Sequence, residues 1–325
     1  MLQLAPNVLM GSYTPIVTPF KRGEVDYATY AKLVDRHLAE GGHGILVNGT
    51  SSEPSTLTVA ERNQLVDEAL SVARGRCPVV AATGSQSMAE TAALTDHAAR
   101  AGADALLIVT PYYIRPPQRG LVEYYVELGK RSDLPLMVYH IPGRAAVSMT
   151  LDSFKAIAAR SETFVGMKHA VNDLGFVTEC LAEFGPTFRI FVGLEELSYP
   201  MLMLGACGMM NAVGNLAPRE VADLYNAVAV GNVAEARRLH FQLFELNRAV
   251  FYDTNPIPIK YMMKRLGLLG DNEHRLPMCP ATPEVERRCD QVLVDAGLLS
   301  FCAAGTGRGA DYCGRINSKI SPSVP

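Results

Sequence analysis

A lysine in an apolar strand is the first residue in this chain whose placement suggests chemistry. Lys168 lies in Phe164-Val165-Gly166-Met167-Lys168-His169-Ala170, between Ser161-Glu162-Thr163 and Asn172-Asp173. A short apolar run with polar punctuation reads as a buried parallel strand. Burial disfavours the ammonium, lowers the pKa of the amine and leaves a nucleophile able to form an imine with a ketone or aldehyde. A strand-end lysine paired with a carboxylate is the structural alternative, and Lys168 alone does not separate the two. The other seven lysines, at 21, 32, 130, 155, 260, 264 and 319, fall in loops, predicted helices or the C-terminal stretch, where solvent is expected to reach them.

Groups that could work with such an amine stand at the ends of other predicted strands. One strand ends in Asn48-Gly49-Thr50-Ser51-Ser52-Glu53. Three hydroxyls after a glycine present side-chain and backbone donors to a carboxylate, although Ser and Thr also favour such a loop as helix caps. Two further strands end in Thr110-Pro111-Tyr112-Tyr113 and in Val138-Tyr139-His140-Ile141-Pro142-Gly143-Arg144. A tyrosine there can relay protons, and Arg144 can grip a carboxylate through two parallel hydrogen bonds. Singly, each also reads as a rim-packing aromatic or a surface arginine. Their coincidence at strand ends, where one pocket would collect them, carries the chemical reading.

Composition narrows the function classes. A net charge of −3, from 30 basic and 33 acidic residues, leaves no polybasic footprint for nucleic acid or anionic membrane. No apolar run approaches the ~18 residues of a membrane span. The stretch Met1-Leu2-Gln3-Leu4-Ala5-Pro6 lacks the basic and apolar regions of a signal peptide, so a cytoplasmic location is expected. The seven cysteines, at 77, 180, 207, 279, 289, 302 and 313, form no Cys-x-x-Cys pair and predict reduced thiols rather than disulfides or zinc. No His, Asp and Glu cluster has metal-ligand spacing, and neither a metal nor a bound cofactor is expected.

The elements that must position these groups follow an eightfold strand–helix rhythm. Strand-like runs cover 12–18, 44–49, 78–84, 105–110, 135–141, 164–170, 188–194 and 208–214. Between them lie helical patterns: Tyr30, Leu33, Val34 and Leu38 mark one buried stripe. Thr58-x-x-Glu61 and Ser87-x-x-Glu90 read as capping boxes. Glycines in 41–44, 102 and 205–208 mark helix stops. Such a chain closes into a parallel barrel or opens into a doubly wound sheet, and no Gly-x-Gly-x-x-Gly follows the first strand to support the open, dinucleotide-binding form. The predicted fold is α/β, with a catalytic barrel over 1–225, a helical domain over 226–300 and a disordered tail over 301–325.

Taken together, Gly49-Thr50-Ser51-Ser52-Glu53, Tyr139-His140-Ile141-Pro142-Gly143-Arg144, Gly166-Met167-Lys168 and Asn255-Pro256-Ile257-Pro258-Ile259-Lys260 resemble the dihydrodipicolinate synthase / N-acetylneuraminate lyase family. These are pyruvate-dependent class I aldolases, and the resemblance runs in order from about residue 11 to 300. It implies a (β/α)8 TIM barrel with a C-terminal helical domain, assembled as a homotetramer of tight dimers. It also implies roles. Lys168 matches the Schiff-base lysine, Tyr139 the proton-shuttling tyrosine, and Thr50 the relay threonine. Tyr113 matches the tyrosine lent across the dimer interface. Thr50 and Ser51 match the pair that binds the pyruvate carboxylate, and Gly193 and Met210 match pocket-lining positions. Arg144 matches the arginine that, in the synthase branch, receives the carboxylate of aspartate semialdehyde.

Several residues depart from the family pattern. Ser52, His140 and His169 stand where glycine, asparagine and glutamate are usual, and on the resemblance they border the second substrate. Val59, Arg62 and Gln86 replace the residues of a lysine feedback site, so none is expected. The resemblance therefore implies condensation of pyruvate with aspartate semialdehyde, with no cofactor beyond the lysine imine. The alternative is a catabolic aldolase releasing pyruvate from a hydroxylated 2-oxo (di)acid of the dihydroxyheptenedioate type. From other classes, a metal-dependent barrel hydrolase lacks its histidines in Thr14–Pro19, and a barrel that only binds 2-oxo acids would not need Lys168 and Tyr139 together.

Overall fold

The computed structural model describes residues 1–5 and 7–299; the tail expected to be disordered, 301–325, lies outside them. Eight parallel strands close a barrel: β1 (Gly11–Pro15), β4 (Gly44–Val47), β5 (Val79–Ala82), β6 (Ala105–Val109), β7 (Leu136–His140), β8 (Phe164–His169), β9 (Arg189–Val192) and β10 (Gly208–Met209). They pair in sequence order, and β1 closes the ring by bonding both β4 and β10. Seven of the expected runs contain one of them, and β1 starts one residue before the run 12–18. The sequence reading missed a small antiparallel hairpin after β1, formed by β2 (Phe20–Lys21) and β3 (Glu24–Val25), because its two-residue strands carry no periodicity.

Helices follow the strands: α1 (Tyr27–Ala39), α2 (Val59–Ala73), α3 (Met88–Ala101), α4 (Gln118–Gly129), the short α5 (Pro142–Ala145), α6 (Leu151–Arg160), α7 (Leu174–Phe184), α8 (Ser198–Leu204) and α9 (Pro218–Ala229). Three more complete the described chain: α10 (Val233–Ala249), α11 (Ile257–Arg265) and α12 (Pro283–Asp295). Local chemistry sets many of their ends. The reciprocal capping box Thr58–Glu61 forms as expected at α2. At α3 only half forms: Ser87 accepts from the Glu90 amide, but the Glu90 carboxylate turns to Arg62 instead. Gly41, Gly102 and Gly205 adopt left-handed φ of 89°, 92° and 113° where α1, α3 and α8 stop. On α1 the fourth buried position is His37 rather than Leu38; its ring bonds the Gly44 carbonyl at 2.9 Å.

Two cores result from strand alternation. One lies between strands and helices and includes Ile45, Val47, Leu106, Ile108, Val138 and Met167. The other fills the barrel and includes Leu46, Leu107, Met137, Tyr139, Val165, Phe191 and Met210. Arg189 plugs the lower end, its guanidinium donating to the carbonyls of Val8 (2.9 Å) and Ala5 (2.7 Å). The opposite end, where the strands run out, is left open for chemistry.

Candidate active site

Lys168 and Tyr139 are cross-strand neighbours at the C-terminal ends of β8 and β7, 3% and 6% exposed. The inward direction of Lys168 depends on an irregularity. Leu136 pairs with Phe164 but Met137 pairs with Gly166, so Val165 is an extra residue, a bulge in a parallel pair. Phe164 packs outside the barrel, Val165 inside and Met167 outside again. Without the bulge, alternation from Phe164 would turn Lys168 outward. Gly166 makes the bulge possible: a Cβ there would lie 1.9 Å from the Arg189 carbonyl oxygen.

The Lys168 Nζ stands 4.5 Å from the centre of the Tyr139 ring, and among the described residues it forms no ion pair. The Tyr139 hydroxyl and Thr50 Oγ1 are 3.1 Å apart. Thr50 and Ser51 open a single 3-10 turn, Thr50–Ser52, held by the Ser52 and Glu53 amides bonding back to Gly49 and Thr50. Ser51 is tied to Asn255, whose Nδ2 donates to its Oγ at 3.2 Å. Arg144, exposed at the C-terminal side of β7, donates to the Asn255 carbonyl at 3.4 Å.

Two adjoining cavities meet at Thr50, Tyr139, Ile141, Arg144 and Asn255. The smaller, about 40 Å3, is lined by Lys168, Ser51, Gly193, Glu195 and Met210 as well. The larger, about 270 Å3, extends past Tyr112 and Arg62 to Pro277 and Met278. Thus Lys168, Tyr139, Thr50, Ser51, Arg144, Gly193 and Met210 come together around one mouth. Tyr113 does not: it is 84% exposed, with φ of 74°, and lines neither cavity.

Two expectations are corrected. Lys168 is not the only desolvated lysine, because Lys260 is fully buried and paired with Glu53 at 2.8 Å. Helix α11 is buried all round from Ile257 to Met263, so a helical position gave Lys260 no access to water. Ser52, His140 and His169 do not border the cavities. Ser52 Oγ donates to the Ile16 carbonyl at 2.6 Å, and both histidines lie behind the strands, 4% and 0% exposed.

Sequence reasoning also missed Glu195, and it quoted Asn255 only within the family-like run 255–260, with no role in the site. Glu195 is 2% exposed; its Oε1 accepts from the Ala212 amide at 2.7 Å, and burial raises its carboxyl pKa, with the Lys168 charge opposing. Its position two residues past Gly193 was the available signal. Among the described residues, no group of three or more His, Cys, Asp or Glu could hold a metal ion, and no helix is long and apolar enough to cross a membrane. The five described cysteines are free.

Comparison with known proteins points to one family and one fold. Residues 8–296 match the model of the Dihydrodipicolinate synthetase family. A 4-hydroxy-tetrahydrodipicolinate synthase from Thermus thermophilus is 41% identical over 290 residues, 89% of this chain and 97% of the relative. The crystal structure of dihydrodipicolinate synthase from Aquifex aeolicus superposes with a TM-score of 0.87 at 36% identity, over 89% of this chain and 99% of that one. A chloride-inhibited dihydrodipicolinate synthase from Acinetobacter baumannii, complexed with pyruvate, gives 0.87 at 33% identity, over 90% and 100%.

Proposed function

The chain belongs to the dihydrodipicolinate synthetase family, and from that premise we propose that it condenses pyruvate with aspartate semialdehyde through an imine on Lys168, yielding 4-hydroxy-tetrahydrodipicolinate. The observation that carries this reading is a buried amine without an ion pair, set against a tyrosine whose hydroxyl is already bonded to Thr50.

The chemistry follows from that arrangement. The Lys168 amine adds to the pyruvate ketone, and loss of water gives a cationic imine. The cation acidifies C3; Tyr139, bonded to Thr50 and having given its own proton to the departing water, takes the C3 proton and leaves an enamine. The Thr50 and Ser51 hydroxyls hold the pyruvate carboxylate in the smaller cavity beside Gly193 and Met210. The enamine attacks the aldehyde carbon in the larger cavity, and the alkoxide formed takes back a proton. Arg144 at the shared mouth receives the aldehyde's carboxylate. The aldehyde's own amino group then displaces Lys168 from the imine carbon, which closes the ring and frees the enzyme.

Residues 1–225 are the catalytic barrel on this reading and 226–300 its helical domain, which supplies Asn255, Pro277 and Met278 to the site. The exposed Tyr113 supports a shared site, in which it is lent to a partner copy within a tight dimer, two of which build a homotetramer. Free thiols support a reducing, cytoplasmic setting. Neither metal nor cofactor has a part. The catabolic alternative rested on Ser52, His140 and His169, and none of them reaches a cavity. Incubation with pyruvate and borohydride, read by intact mass and peptide mapping, should add one reduced pyruvyl group at residue 168. A panel of aldehydes should then give turnover with aspartate semialdehyde. Labelling at Lys260, or none, would end this reading.

A further inference from the structure

The residue after Tyr139 and the residue after Lys168 are both histidines, and strand alternation turns both to the outside of the barrel. His140 Nδ1 and His169 Nδ1 are 3.1 Å apart. The Met149 amide donates to His140 Nε2 at 3.2 Å, so the His140 proton sits on Nδ1 and His169 Nδ1 accepts it. Phe176 packs on both rings, with centroids 5.5 and 5.6 Å away, and Phe154 flanks His140 at 6.5 Å. Burial pushes both histidines down to about 4, with His169 adding to the fall at His140 and Asp173 opposing it at each, so the pair is neutral near pH 7.

We infer that this histidine pair is a register lock, holding β7 and β8 in the pairing beyond the bulge that sets Tyr139 opposite Lys168. It deepens the reading of those two residues given above and rests on it. Beyond the bulge the ladder continues through Met137–Gly166, Val138–Met167, Tyr139–Lys168 and His140–His169. Gly166 has no side chain, and Val138 and Met167 supply apolar contact without direction. A slip of one residue would abolish the bulge and turn Lys168 outward. Among the described residues the histidine bond is the only side-chain hydrogen bond joining these two strands. Slippage would break the Nδ1–Nδ1 bond and leave both of those buried nitrogens unpaired, which makes it costly. The pair positions the site and touches no substrate.

Two substitutions at one position test the lock. His169→Asn keeps an acceptor near the place of Nδ1, whereas His169→Leu fills the space without one. The leucine variant should lose roughly 10- to 100-fold in kcat, the scale of a small misplacement, while the asparagine variant stays within about threefold of wild type, its hydrogen bond retained. Pyruvate–borohydride labelling is run on all three proteins. Wild-type labelling away from Lys168 overturns the site reading itself. Labelling at Lys168 with equal kcat in all three overturns the lock alone. Should His169→Leu fail to fold, nitrogen-15 histidine spectra of the wild type decide. A proton on His140 Nδ1, with coupling across to His169 Nδ1, is expected; a proton on His140 Nε2 overturns the lock.

Discussion

Lys168 and Lys260 are both buried, at 3% and 0% exposure, yet their surroundings prepare them for different work. Lys260 meets the Glu53 carboxylate at 2.8 Å and lies 4.4 Å from the Phe20 ring centre, so its charge is compensated. Lys168 faces a tyrosine ring and a cavity. Burial alone does not mark a reactive amine; the lack of a direct ion pair does. Two substitutions separate the roles around Lys168. Tyr139→Phe keeps the ring and removes the hydroxyl bonded to Thr50, so kcat should fall by ~10²–10⁴-fold, the range for a lost general acid or base. Arg144→Ala should leave pyruvate labelling intact and raise KM for aspartate semialdehyde by roughly 10- to 150-fold, the loss of a charge-assisted pair. Steady-state kinetics with each substrate varied checks both, and equal effects on both KM values would contradict the division of the site.

At the scale of elements, a loop and a helix distant in sequence share one carboxylate. Glu53, in the left-handed region at φ of 55°, ends the turn that carries Thr50 and Ser51. Lys260 of α11 and His274 Nδ1, at 2.8 and 2.9 Å, hold its two oxygens. Lys260→Met strands that carboxylate in the interior and should cost about 3–5 kcal/mol, the usual penalty for breaking a buried pair from one side. Adding Glu53→Gln should recover part of the loss, and denaturant melts of the single and double variants measure it. A double variant less stable than Lys260→Met would contradict the pairing. The strand–helix rhythm was legible because each strand is an apolar run of about the right length, bounded by glycines and caps. The chemistry-bearing strand ends were legible for the same reason. The bulge at Val165 was not, since a fully buried strand shows no alternation to interrupt. Lys260 escaped because its helix is buried on every side, and the histidine pair because outward residues near a strand end read like residues at a rim.

For the whole molecule, three buried neutral histidines set how it meets acid. His37, His140 and His169 are each lowered from the ordinary 6.5 to about 4, burial being the largest cause. The unfolded chain therefore binds more protons than the folded one between those values. Their contribution to stability is complete above pH 6.5 and is lost as the pH falls through about 4. Glu61, held down to about 2 chiefly by its hydrogen bond with Arg275, withdraws its share only below the ordinary 4.5. The thermal midpoint should thus begin to drop between pH 6.5 and 4.5, before that carboxylate takes part. A calorimetric midpoint constant across that interval would show that the histidines do not carry the effect.

Gly193 has a consequence for the side on which the new bond forms. A Cβ at this position would stand 3.0 Å from Lys168 Cε and 2.9 Å from the Ala170 methyl, so bare backbone borders the lysine arm where a side chain would displace it. The Tyr139 ring also borders the amine. On the proposed chemistry, a planar enamine held in that slot shows a single face to the larger cavity. The carbon–carbon bond then forms from that side only; the attacking carbon stays a CH2, so the one new stereocentre is set by the face that the aldehyde, docked in the larger cavity, turns toward it. The one residue type without a side chain thereby helps to choose the side from which the new bond is built.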